Sequence, residues 1–207
     1  MKRIHVLVAL VAIAVSAVSC GTTTSLSQRW SDPAYVGQPG QKMMIIALAK
    51  SERNQFVWES AFSQALQKQK VTPLVGSKFL PSTNAADEAT LKTAIKESGA
   101  NLAAVTRLIA VDKETSYVPG MSYYTPAPAY YGMYGYYNSS YAMVHDPGYY
   151  QENTIVKLET NVYDVASEKL VWSGVTETLN PETAQDVANS VAYTVTEDMV
   201  KSKVIRK

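Results

Sequence analysis

The hydrophobic pattern of this chain changes period several times, and each change marks an element. Lys42–Ala49 (KMMIIALA) is a short unbroken apolar run, which predicts a strand buried on both faces. From Asn54 to Gln69 the spacing becomes helical, with Trp58, Phe62, Ala65, Leu66 and Gln69 on one side. Val71–Val75 returns to a short strand. Asp87 then stands as an N-cap, Leu91, Ala94, Ile95 and Ser98 share a helical face, and Gly99 sits where a helix ends on a left-handed residue. Leu102–Val111 reads as a third strand.

Thr154–Asp164 alternates, with Val156, Leu158 and Val162 facing one way and Lys157, Glu159 and Asn161 the other. Ala166–Glu168 makes a turn, and Leu170–Leu179, which contains Trp172, returns as the second arm of a hairpin. Asn180 followed by Pro181 predicts a capped helix start. The buried stripe of that helix is Ala184, Val187, Ala188, Val191, Val195 and Met199. Val204 and Ile205 read as a short edge strand. The order β-α-β-α-β, an insertion, β-β, α predicts an α/β (mixed α+β) fold. Its core is one mixed five-stranded sheet with about three helices, parallel in the βαβ half and antiparallel in the hairpin.

Two stretches carry no such period. Residues 21–41 are rich in Thr, Ser, Gln, Gly and Pro and read as a flexible tether. Trp30 interrupts it, either packing on the domain edge or touching a membrane surface. The second stretch runs from 115 to 150. It has no Asp, Glu, Lys or Arg from Thr115 to Val144, and all of the 14 tyrosines except Tyr35, Tyr163 and Tyr193 lie between Tyr117 and Tyr150. Pro119, Pro126 and Pro128 with Gly132 and Gly135 oppose a regular helix. This is a biased, Tyr-rich insertion, too rich in Pro, Gly, Ser and Asn to span lipid.

The start of the chain adds a location. Lys2 and Arg3 precede an apolar run from Ile4 to Val18, too short to span a bilayer, and Ala17-Val18-Ser19 precedes the only cysteine, Cys20. That layout reads as a lipoprotein signal over 1–19, with Cys20 lipidated, 20–41 as tether and 42–207 as a single α/β domain. Two or more acyl chains give stable anchoring. The expected compartment is the bacterial cell envelope. Gly21 in place of a retention aspartate points to the outer membrane, facing the periplasm.

The formal net charge of +1 offers no basic stripe for nucleic acid. After the signal one histidine remains, His145, and no His/Cys metal cluster, Gly-x-Ser-x-Gly or phosphate-cradling loop appears. No catalytic residue, metal or cofactor is expected. Lys50, Glu52 and Arg53 follow a strand end, where α/β ligands often sit, yet a solvated loop explains them. Glu59 reads as a structural partner of Arg53 or Lys42. Asp87, Glu88, Lys92 and Lys96 read as the outer face of a helix.

Several segments resemble a group of uncharacterised bacterial lipoproteins: RNQFVWESAF from Arg53, EATLKTAIKESGANLAAVTRL from Glu88, YYGMYGYY from Tyr130 and VKLETNVYDVASEKLVWSGVTETLNP from Val156. In architecture that group is similar to the amino-terminal domain of the translocation protein TolB and to curli-secretion and penicillin-binding-protein-activator lipoproteins. The resemblance implies a small α/β envelope domain and supplies no catalytic residues.

The tyrosines admit three readings: cover for an open sheet face, a surface for a protein partner, or stacking on glycan rings. Tyr130, Tyr131, Tyr134, Tyr136, Tyr137 and Tyr141 are the candidate partner-binding residues. The expectation is a lipid-anchored, non-catalytic binding or assembly component that contacts an envelope protein, with glycan or peptidoglycan binding as the alternative.

Overall fold

The computed structural model describes residues 23–80, 87–118, 132–135 and 148–206. Strands β1 (Thr23–Ser31), β2 (Lys42–Leu48), β3 (Thr72–Val75), β4 (Leu102–Val118), β5 (Tyr149–Asp164) and β6 (Leu170–Leu179) form one six-stranded sheet in the order β1-β6-β5-β4-β2-β3. Helices α1 (Glu52–Lys68), α2 (Glu88–Ser98) and α3 (Ala184–Lys201) pack on it. β2 runs parallel to β3 and β4, and the remaining pairs are antiparallel. The mixed α/β architecture expected from the sequence is therefore present, with one strand more.

Topology explains why the helices take opposite faces. The chain passes from β2 outward to β3 through α1, then back across β2 to β4 through α2. Right-handed crossovers in opposite directions place the two helices on opposite sides. Alternate residues of β2 accordingly enter different cores. Met43, Ile45 and Ala47 join Trp58, Phe62 and Leu66 of α1 and Val191, Val195 and Met199 of α3. Met44 and Ile46 join Ala94 and Ala100, with Leu91 and Ile95 of α2 against them. Burial on both faces is what made this segment an unbroken apolar run.

Local chemistry sets the helix ends. The Ser51 side chain accepts from Asn54 N at the start of α1, and Asp87 accepts from Thr90 N at 2.7 Å at the start of α2. That backbone hydrogen bond holds the Asp87 carboxyl below its usual range. Gly99 ends α2 with φ +68, as the left-handed cap requires. Glu59, 1 % exposed, accepts from Ser77 Oγ at 2.6 Å, Ser77 N at 3.2 Å and Gln55 Nε2 at 3.3 Å. Its role is structural as expected, but its partners are Ser77 and Gln55 rather than Arg53 or Lys42. It ties the 3-10 turn Gly76–Lys78 to α1.

Four sequence expectations need correction. The segment read as a tether contains β1, which pairs antiparallel with β6 from Thr23↔Leu179 to Ser31↔Trp172. Its anchor is Asp198 of α3, whose Oδ1 lies 2.7 Å from Arg29 Nη1 while Oδ2 accepts from the Trp172 indole at 3.0 Å. The α3 cap is Thr183, whose side chain accepts from Asp186 N, and not Asn180. Asn180 takes φ +46 and accepts from Thr154 N at 2.7 Å. Val204 and Ile205 are a buried bend rather than an edge strand: both amides donate back to the Met199 carbonyl at the end of α3, at 2.9 and 3.3 Å, and the two residues join the larger core. Finally, β4 runs on to Val118 and β5 begins at Tyr149, so both ends of the stretch read as an insertion are strand.

Candidate functional site: a cavity at one end of the sheet, a ribbon at the other

Beneath α2 lies a cavity of about 490 Å³. Leu91 and Ile95 line its helical side, Ile46, Ala103 and Val105 its floor, and Tyr163 and Val165 its wall. The small Ala103 side chain leaves room where β4 passes under the helix. Charged residues stand around this apolar space: Glu88, Lys92, Lys96, Asp164 and Glu168. Lys92 Nζ is 3.1 Å from Glu88 Oε1 and 3.4 Å from Glu168 Oε1, so it links helix α2 to the β5–β6 turn. Its hydrogen bond to Glu88, then that to Glu168, raises the Lys92 ammonium above its usual range. An apolar interior with a few charged groups at its rim suits a ligand with an apolar body and a polar end.

At the opposite end, β4 and β5 outrun the rest of the sheet. Pairing of β2 with β4 stops at Leu48↔Arg107, and pairing of β6 with β5 stops at Ile155↔Leu179. From Lys113↔Thr154 to Val118↔Tyr149 the two strands pair only with each other. The base of this ribbon is charged, with Lys113 Nζ 2.7 Å from Glu152 Oε1 and Lys157 Nζ 3.0 Å from Asp112 Oδ2. Its end is aromatic: Tyr117 and Tyr150 lie with ring centroids 5.2 Å apart. Gly148 is in close contact with Tyr117, and a Cβ there would collide with the Tyr117 hydroxyl and the Val118 carbonyl. Tyr149 and Tyr150 remain 62 % and 76 % exposed.

Of the tyrosines read as partner-binding, Tyr134 is among the described residues and is 79 % exposed, in the short helical segment Met133–Gly135. Tyr130, Tyr131, Tyr136, Tyr137 and Tyr141 lie outside the described residues, as do Cys20 and His145. Lys50 and Arg53 are exposed around the start of α1. The cavity was missed in the sequence. Its rim residues Glu88, Lys92 and Lys96 read as a solvated helix face, and the i,i+4 spacing of Glu88 and Lys92 was their one signal. Among the described residues no group of His, Cys, Asp and Glu has the geometry to hold a metal ion, and no helix is long and apolar enough to cross a membrane.

Neither a comparison with protein-family models nor one with curated proteins finds a match. Solved structures share the general outline. The PelC dodecamer from Paraburkholderia phytofirmans is 13 % identical, over 84 % of this chain and 95 % of that one, with a TM-score of 0.46. Lipoprotein GNA1162 from Neisseria meningitidis is 10 % identical, over 78 % of this chain and 99 % of that one, with a TM-score of 0.42. Likeness at this level is one of outline, and neither assembly nor activity passes from those proteins to this chain.

Proposed function

We propose that this chain is a lipid-anchored protein of the bacterial envelope that acts by binding, with Cys20 as its lipidation site. The observation that carries the binding reading is the apolar cavity beneath α2. It sits beside the 163–168 turn, at the sheet end opposite to Thr23, where the chain enters from Cys20. Nine residues of β5 separate Ile155, level with Thr23, from Asp164, or about 30 Å. An anchor at one end and a cavity at the other present the cavity away from the membrane. Its apolar interior fits the side chain of a protein partner, and Lys92, Lys96, Glu88 and Glu168 fit polar groups around it. Outer-membrane attachment facing the periplasm follows from Gly21 after the cysteine.

A photo-crosslinking side chain in place of Lys96 tests this in intact envelopes. The expected result is a protein adduct that disappears when Val105→Trp fills the cavity. A glycan reading has its own support in the exposed rings of Tyr117, Tyr134, Tyr149 and Tyr150. Binding to purified cell-wall sacculi that survives Val105→Trp, with no protein adduct, would replace the protein reading by the glycan one.

A further inference from the structure

We propose that the ribbon formed by Lys113–Val118 and Tyr149–Thr154 is a membrane-contact element, seated at the headgroup level of the bilayer that holds the lipid of Cys20. The proposal rests on Cys20 being the lipidated residue.

Strand register carries the argument. Thr23 pairs with Leu179, Leu179 with Ile155, and Ile155 with Asp112. The entry of the chain and the base of the ribbon therefore lie at the same end of the sheet. Only Gly21 and Thr22 separate Cys20 from Thr23, so the lipidated residue stands at most about 11 Å beyond that level. Thr24 is fixed in turn by a 2.7 Å contact between its hydroxyl and that of Thr178. The ribbon extends six residues past the same level, or about 20 Å. A protein held upright by this short link brings the ribbon end to the lipid before the link is fully stretched. A tilted one lays the ribbon along the surface. The domain does not stand far off the membrane, because the segment that would let it do so is β1.

Charge agrees with the heights. Asp112, Lys113, Glu114 and Glu152 stand at the ribbon base, and Lys113 and Glu152 pair there in water. Between Thr115 and Gln151 the only Asp, Glu, Lys or Arg is Asp146, in the stretch that joins the two strands. The change from charged to uncharged falls two or three residues past Thr23, about 7–10 Å, which is the level the short link allows for Cys20. Above it stand Tyr117, Val118, Tyr149 and Tyr150, with the tyrosines 55 to 76 % exposed. Tyrosine is the side chain that settles at a membrane–water interface, with its ring in the apolar zone and its hydroxyl toward water. Beyond Thr154, which Asn180 engages, no further strand pairs with the outer edges of β4 and β5 in the ribbon, and open edges do not persist in hydrocarbon. The headgroup region, where water and polar groups satisfy those edges, is the depth that fits.

The test uses the full, lipidated chain on vesicles of phosphatidylethanolamine and phosphatidylglycerol. The lipid consumes the only native thiol, so Tyr150→Cys supplies a unique site for an environment-sensitive fluorophore. Lys169→Cys, exposed in the turn at the other end of the sheet, is the control. The expected result is blue-shifted emission and quenching by nitroxide-bearing lipids at position 150 and neither at 169. Tyr149→Cys, on the opposite face of the ribbon, gives the same readout should the Tyr117–Tyr150 pair be needed for folding. Emission at 149 and 150 as water-like as at 169, on protein that carries its acyl chains by mass spectrometry and floats with the vesicles, overturns the proposal and leaves the anchor reading intact. Wild-type protein without acyl chains removes the anchor reading itself. A label that is shielded in native envelopes but water-exposed on pure lipid overturns the proposal in favour of a protein partner for the ribbon.

Discussion

β4 and β5 pass through two environments, and the contrast between them separates what pairing does from what burial does. In their shared base, Leu102, Ala104, Leu158 and Val162 are buried against α1 and α3. There the hydroxyls of Thr106 and Thr160 meet at 2.9 Å in the interior. In the distal half the same antiparallel ladder continues, yet Val111 is 54 % exposed and Tyr150 76 %. Antiparallel pairing continues on both sides of a register shift between Leu108 and Ala110. Apolar burial does not, and burial is the larger favourable contribution to folding. A two-stranded ribbon alone is marginal in water. This one is held because the register of its base is fixed by the sheet.

The largest effect expected from that contrast is in the base. Trp172 is 0 % exposed, stands opposite Val162 and donates its indole N–H to Asp198. Trp172→Ala should cost ~3–5 kcal/mol by loss of burial and by the cavity left behind. Urea unfolding measures it. A midpoint unchanged within error would show that the base of the sheet is no more consolidated than the ribbon, and the comparison would fail.

A smaller loss is expected where the edge strand is pinned. Asp198 receives Arg29 from β1, Trp172 from β6 and Ser202 Oγ at 3.2 Å from its own helix end. Asp198→Ala leaves the buried indole N–H without its acceptor, at a cost on the order of 1–3 kcal/mol. Because Arg29 also loses its partner, amide exchange should rise in β1 before it rises in β5. Uniform acceleration across the sheet would mean that β1 is held by its ladder alone.

How far the sequence revealed this molecule follows the same division between burial and its absence. β2, α1, α2 and the β5–β6 hairpin were legible because one or both faces are buried, and burial imposes a period. β1 was not. It is an edge strand, a bulge between Leu26 and Gln28 breaks its alternation, and Thr24 and Arg29 meet Thr178 and Asp198 through polar contacts. A polar strand whose partners lie some 150 residues away leaves no local trace. The distal half of β4 was hidden for a related reason. Asp112 and Lys113 look like loop residues until their cross-strand partners Lys157 and Glu152 are known. The cavity was invisible because it is a relation between α2, β4 and the 163–168 turn, and none of these signals it separately. The cap misread at Asn180 shows the reverse error. Asn followed by Pro is a good local helix start, but Asn180 is engaged by Thr154 and the helix waits three residues for Thr183.

The smallest effect on stability is expected from removing what the ribbon carries. Val118 and Tyr149 are directly paired, so an Asn-Gly turn between them is the natural short closure. Among the described residues, the core of the base lies in β2, α1, α2, α3 and the proximal parts of β4, β5 and β6, with Val71, Ala100, Val204 and Ile205 beside them. Loop-closure entropy rises only slowly with length, so a shorter connection is neutral or slightly favourable. Replacing 119–148 by Asn-Gly should therefore leave the melting temperature within about 2 °C of the parent, a shift that corresponds to less than 1 kcal/mol in a domain of this size. A fall of the size expected for Trp172→Ala would show that the removed residues cover part of the sheet. The two halves of β4 and β5 would then differ less in burial than their exposed side chains indicate. An unchanged melting temperature, with amide protection kept up to Arg107 and Glu159 and lost beyond Lys113 and Thr154, would set the boundary between the consolidated base and the ribbon where β2 and β6 stop pairing.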